Sequence, residues 1–131
     1  MIEKLNPWIY NAEVKKIIDG DTLDVLIDLG FKIFKHDRIR LFGVNTPEIR
    51  TSNVEEKKMG LAAKEFVNQW LITVGNKVII ETIIDKGEKY GRILARVWNE
   101  EGKCLNEDLI KSGLGKIYFG VGDKMFTEFK L

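Results

Sequence analysis

The sequence has almost no thiol or imidazole chemistry: its 131 residues contain one cysteine, Cys104, and one histidine, His36. A single cysteine excludes an intrachain disulfide. Without a second Cys or His, the composition also argues against a zinc centre or a Cys–His dyad. Cys104 reads as a small buried apolar residue, and His36, within Lys35-His36-Asp37, as a solvent-facing one. Proline is scarce; Pro7 and Pro47 both fall at loop positions. No apolar run approaches the length of a membrane span, so no membrane partner is expected. The stretch Met1 to Pro7 lacks the apolar core of a signal peptide. The expectation is a cytoplasmic protein, with secretion after leader removal as the other route. Net charge is nearly absent too: 21 basic and 20 acidic side chains leave +1. That balance does not announce a nucleic-acid partner, and one would require positive charge focused locally.

The composition, 44% hydrophobic and 31% charged, supports a packed core under a polar surface. The length suits one domain over residues 1–131, expected as a monomer. Neither an internal repeat nor a low-complexity segment interrupts it. A strand is expected roughly from Trp8 to Ile18, then the turn Asp19-Gly20-Asp21-Thr22. Leu23, Val25, Ile27 and Leu29 alternate on one strand face, with Thr22, Asp24 and Asp28 on the other. After Gly30 a third strand is expected from Lys32 to Val44, with Ile39 and Leu41 opposite Arg38 and Arg40.

Residues 49–58 are polar and unpatterned and read as a mobile loop. Met59, Ala62, Ala63, Phe66, Val67, Trp70, Leu71 and Val74 then follow helical spacing, ended by Gly75-Asn76. Two more strands are expected, Lys77 to Ile84 and Arg92 to Asn99. A short helix follows, capped by Asn106, running through Ser112 and stopped by Gly113. Gly115 to Phe119 reads as extended. Consecutive strands with a long helix between the third and fourth suit a closed five-stranded barrel; an open antiparallel sheet with helices on one face fits the pattern as well.

Three short clusters carry possible chemistry. Asp19-Gly20-Asp21-Thr22 presents two carboxylates in a tight turn, able to offer oxygen to a hard cation, or simply an ordinary hairpin turn. Arg38 to Glu48 places guanidinium groups on a strand's polar face. An amide (Asn45), a hydroxyl (Thr46) and a carboxylate (Glu48) follow at a proline-bearing turn. Arginine's planar fork suits phosphate, and a nearby carboxylate can orient or deprotonate water. The plainer alternative is a surface Arg–Glu pair. Lys86-Gly87-Glu88-Lys89-Tyr90-Gly91-Arg92 forms a bend that ends in a second candidate clamp, or a solvated turn.

In this order, Asp19 to Thr22, Arg40 through Thr46-Pro47-Glu48, and Lys89-Tyr90-Gly91-Arg92 resemble the staphylococcal nuclease (thermonuclease) family. Met59-Gly60 and the segments Leu105-Asn106-Glu107 and Ser112 to Lys116 resemble that family's later parts, so the likeness spans about Val14 to Lys116. It implies an α+β domain: a five-stranded OB-fold β-barrel with two to three packed helices. It also implies a calcium-dependent nuclease that hydrolyses phosphodiester bonds of DNA and/or RNA and leaves 3′-phosphate ends. Another divalent cation, such as Mn2+, is a possible substitute.

Carried over, Asp21, Asn45 and Thr46 would hold the metal, Thr46 through its backbone carbonyl, with Asp19 behind them. Glu48 would position or activate water, and Arg40 and Arg92 would clamp the phosphate. Lys89, Tyr90, Tyr118 and Phe119 would contact the substrate. The sequence departs from the family pattern in two places. Asn45 stands where an acidic ligand is usual, removing one negative charge. Phe119 and Val121 stand near the places of nucleotide-packing tyrosines. Asn45, the near-zero net charge and the many functions one fold can serve keep open a different class of function, a non-catalytic OB module that binds single-stranded nucleic acid or a peptide.

Overall fold

The computed structural model describes residues 8–83 and 93–118. Five strands close into a barrel: β1 (Ile9–Asp19), β2 (Thr22–Asp28), β3 (Phe34–Leu41), β5 (Lys77–Ile83) and β6 (Ile93–Trp98), in the order β1-β2-β3-β6-β5. Two short strands, β4 (Val44–Asn45) and β7 (Lys116–Ile117), pair beside it. Helices α1 (Val54–Ile72) and α2 (Leu105–Ser112) pack on the outside. This is the α+β OB-type barrel expected from the sequence.

Closure rests on two seams. β1 pairs along β2 from Ala12 to Asp19 and along β5 from Ile9 to Glu13, so one long strand serves two neighbours. Its register slips between Val14 and Lys16 and again between Ile17 and Asp19. Such bulges bend a strand and let it wrap. The other seam is parallel: Ile39, Arg40 and Leu41 face Ile93, Leu94 and Ala95. An open sheet would leave these edges unpaired.

The alternation read in β2 and β3 is observed. Leu23, Val25, Ile27, Ile39 and Leu41 are buried, and with Ile80, Val97, Val67, Leu71 and Leu109 they build one core. Leu29 is a difference, lying beyond β2 and exposed. There the chain turns through three consecutive left-handed residues, Gly30, Phe31 and Lys32. The expected third strand is also two pieces. It breaks at Phe42-Gly43, where Gly43 takes φ 77°, and resumes as β4.

Helix α1 begins five residues before the expected Met59. Asn53 caps it, accepting from the Glu56 amide at 3.0 Å, and Glu55 and Glu56 occupy the first turn. Cap and charges together favour helix over loop for residues 54–58, the cap contributing about 1 kcal/mol. Met59 and Ala62 are exposed, and Gly60, Ala63, Val67 and Leu71 form the buried stripe.

Asn106 is not a helix cap. Cys104 takes that position, without a side-chain cap bond, and Asn106 lies fully buried inside α2. Its amide nitrogen donates to the carbonyls of Phe42 (2.8 Å) and Ala95 (3.1 Å), and its oxygen accepts from the Val97 amide (3.0 Å). It thus satisfies backbone groups where the parallel β3–β6 seam separates. Gly113 does end α2, in a left-handed conformation. Cys104 is buried and His36 exposed, as expected.

Candidate active site

Sequence-distant residues meet where the β1–β2 turn, the end of β3, β4 and α1 converge. Asp21 occupies the turn and is only 7% exposed. Its Oδ1 accepts from Thr22 Oγ1 (2.9 Å) and its Oδ2 from the Thr46 amide (3.0 Å). Its backbone carbonyl accepts from the Leu41 amide (2.8 Å), tying the turn to the end of β3. Thr22 is also buried, because its hydroxyl turns to that carboxylate.

Arg40 pairs across the ladder with Thr22, on the opposite face from core residues Ile39 and Leu41. Its Nη1 donates to the carbonyls of Val44 (2.9 Å) and Leu41 (3.3 Å), and its Nη2 to Asn45 Oδ1 (3.0 Å). The same Nη2 lies 3.6 Å from Asp21 Oδ2. Among the described residues the ion pair of Arg40 is therefore with Asp21, and it is largely enclosed. The guanidinium carbon also sits 5.7 Å from the centre of the Tyr118 ring, within cation–π range. Tyr118 is held there by its amide, which donates to Gly43 O at 3.0 Å, just past the β4–β7 pairing.

Two glycines let the parts approach, and spacing arguments on the sequence missed both roles. A Cβ at Gly20 would lie 2.8 Å from the Ala63 Cβ and 3.0 Å from the Thr46 Cγ2. A Cβ at Gly60 would lie 2.8 Å from the Pro47 carbonyl and 3.0 Å from that of Glu48. Helix α1 is thus pressed against both the Asp21 turn and the Glu48 segment. The only sequence signal was a glycine inside an otherwise helical pattern, which costs helix stability and so asks for a packing reason.

The electrostatics are crowded with negative charge. Glu48 is an exposed residue whose carboxyl is held above the usual range, by desolvation first and then by the charges of Asp19, Asp21 and Glu56; Arg40 opposes this. Asp19 is raised likewise, by burial and then by Asp21, while Lys64, Arg50 and a hydrogen bond from the Ile49 amide pull it down. Thr46 Oγ1 is buried without a hydrogen-bond partner among the described residues. Among the described residues, no three His, Cys, Asp or Glu side chains gather into a metal cluster by themselves. The neighbouring donors are all hard oxygens, from Asp21, Asn45 and Thr46. Like charges that add to desolvation in raising the Asp19 and Glu48 carboxyls mark a place that a cation would relieve. The donor set therefore suits a hard divalent ion, with fewer anionic ligands than a cluster of three carboxylates would give.

The structure brings together Asp19, Asp21, Arg40, Asn45, Thr46, Glu48 and Tyr118. Arg92, Lys89, Tyr90 and Phe119 lie outside the described residues. No helix among the described residues is long and apolar enough to cross a membrane.

Comparison with known proteins matches this arrangement to a family. Residues 38–130 match the model of the family described as staphylococcal nuclease homologue. The chain is 38% identical over 106 residues to a thermonuclease of Staphylococcus intermedius, covering 81% of this chain and 58% of that protein. It is 35% identical over 107 residues to a thermonuclease of Staphylococcus hyicus, covering 82% and 59%. With endonuclease YncB of Bacillus subtilis the identity is 32% over 125 residues, covering 94% and 56%. The chain thus spans less than two thirds of the length of these relatives. A family match over most of the chain and a closed barrel that gathers the motif residues in one place lead to one assignment: this chain belongs to the staphylococcal nuclease homologue family.

Proposed function

We propose that the protein is a calcium-type, metal-dependent nuclease that hydrolyses phosphodiester bonds of DNA and/or RNA. The observation that carries this reading is the juxtaposition of Arg40, a braced and enclosed guanidinium, with Asp21, Asn45 and Thr46. Relatives named thermonuclease and endonuclease support the reaction class.

In this reading Arg40 and Arg92 hold the non-bridging phosphate oxygens and stabilise the charge that builds on them. Arg40 fits the role because its hydrogen bonds to Leu41, Val44 and Asn45 all go to oxygens of the fold, which fixes its orientation before substrate arrives, while a five-donor group retains capacity for a phosphate. Glu48 fits the role of water-positioning base: it is exposed to a ligand, and its raised proton affinity favours accepting a proton. It takes a proton from the attacking water as the water oxygen bonds to phosphorus and the bond to the 5′ oxygen breaks, leaving a 3′-phosphate and, once that oxygen takes a proton from solvent, a 5′-hydroxyl. Asp21, Asn45 and Thr46 would hold the cation and Asp19 would support them. When bound, the ion supplies positive charge at the phosphate and lowers the pKa of water. Lys89, Tyr90, Tyr118 and Phe119 are proposed to contact the nucleotide, Tyr118 from its place beside Arg40.

The test is cleavage of single-stranded DNA and RNA with calcium, with manganese and with chelator, beside a Glu48→Gln variant. Cleavage that needs a divalent ion and falls about 100-fold or more in the variant is expected. If no divalent ion raises cleavage above the level of the variant, the enzyme reading fails and the non-catalytic binding module takes its place.

A further inference from the structure

The charge balance of the whole chain requires any nucleic-acid partner to be met by locally focused cations. One such place lies outside the site already described. A groove of about 630 Å³ runs between β1 and the middle of α1, with Lys15, Lys16, Lys64, Asn68, Asn76 and Leu61 among its lining residues. Its composition suits a single-stranded phosphodiester backbone: ammonium groups and amide donors above apolar side chains.

The fold works to put both lysines of β1 into this groove. In a regular strand, neighbouring side chains point to opposite faces. Here Val14 pairs with Val25 and Lys16 with Asp24, which leaves Lys15 as the extra residue of a bulge. A bulge re-aims side chains, and four consecutive residues, Val14 to Ile17, line the same groove. Lys15 is drawn to Glu13 at 2.8 Å. Neither Lys16 nor Lys64 forms a contact ion pair among the described residues, and Lys64 is attracted to Asp19 only at longer range. The one acidic lining residue, Glu65, accepts from Gln69 at 2.7 Å.

The groove also adjoins the site at both walls. On β1, Ile17 lines it and Asp19 follows two residues later. On α1, Gly60 and Ala63 press on the Glu48 segment and the Asp21 turn, and the next residues, Leu61 and Lys64, line the groove. A strand that crosses the site can therefore continue into it without leaving the surface.

We propose that the β1–α1 groove is an extended-substrate subsite, in which Lys16 and Lys64 bind phosphates of a single-stranded nucleic acid flanking the cleaved bond. This rests on the nucleic-acid substrate proposed above. It makes long strands better ligands than short ones, with the difference carried by charge.

The test is the affinity of the full chain, in chelator so that nothing is cleaved, for an oligodeoxythymidylate of about 12 nucleotides and for a dinucleotide. Lys16→Glu/Lys64→Glu is compared with the wild-type protein and with Lys103→Glu/Lys111→Glu, which makes the same charge change at exposed positions elsewhere. Melting curves confirm that both variants fold. The groove variant is expected to lose about tenfold in affinity for the long strand at low salt. Its slope of log affinity against log salt should shrink by about 1.4, about 0.7 for each phosphate contact. The dinucleotide should shift by less than twofold. Equal losses for both ligands, equal losses in both variants, or no loss overturns the groove. Wild-type cleavage is assayed in parallel. Cleavage without the groove effect removes the subsite and leaves the nuclease reading, whereas the groove effect without cleavage removes the nuclease reading and leaves the groove as a binding site for single-stranded nucleic acid. A wild-type protein that binds neither ligand removes the subsite and the substrate class together.

Discussion

Arg40 Nη2 donates to Asn45 Oδ1 at 3.0 Å, so the guanidinium proposed to clamp phosphate is braced by a neutral proposed metal ligand. An aspartate there would attract the metal more strongly and would also spend part of its charge on Arg40. The amide leaves Arg40 with Asp21, at 3.6 Å, as its ion-pair partner among the described residues. In the proposed function, Asn45 would give up anionic charge at the metal and leave more of the Arg40 charge available to phosphate.

Replacing Asn45 with Asp is expected to tighten calcium binding about tenfold by restoring an anionic oxygen. Calorimetric titration of the two proteins measures this directly. Unchanged or weaker affinity would remove Asn45 from the metal-binding set.

Arg92 is predicted to act mainly on the transition state, so Arg92→Ala should lower kcat by about 100-fold or more while KM moves only a few-fold. Steady-state kinetics on one defined oligonucleotide reads both. Comparable losses in binding and turnover would recast Arg92 as a docking residue.

Gly60→Ala should lower the melting temperature, although alanine is the better helix former by about 1 kcal/mol. The new Cβ would stand 2.8 Å from the Pro47 carbonyl, and that backbone oxygen can yield only if the Glu48 segment shifts. Turnover should fall with it. A variant that melts higher than the parent would show that this contact does not constrain the segment.

Asn106→Ala is expected to cost about 3 kcal/mol in urea unfolding. It strands the Val97 amide and the Phe42 carbonyl in a buried seam, whereas the Ala95 carbonyl keeps the Phe42 amide at 2.9 Å. A cost below ~1 kcal/mol would mean that those groups find other partners.

The sequence by itself determined the local facts. Strand alternation fixed that Ile39 and Leu41 face the core and Arg40 does not, because side chains in a strand alternate whatever lies across from them. Gly113 stopped α2 where expected, because a left-handed residue suits glycine. The motif order carried the family resemblance, since it is a property of the chain alone. Local signals failed where the deciding partner was remote. Asn106 looked like a cap because its type favours caps, yet backbone groups of Phe42 and of β6 claimed it. Residues 54–58 lacked apolar period, and capping by Asn53 made them helix.

Only the tertiary structure decided that the sheet closes, because the β1–β5 and β3–β6 pairings join residues far apart in sequence. The same holds for the proposed chemistry. Asp21, Arg40 and Thr46 carried weak signals as separate clusters, each with an ordinary structural explanation. Closure of the barrel, with Gly20 and Gly60 admitting α1, brings their polar atoms within hydrogen-bond and ion-pair range of one another. It also encloses Asp21 and Arg40, where such interactions are least screened by water.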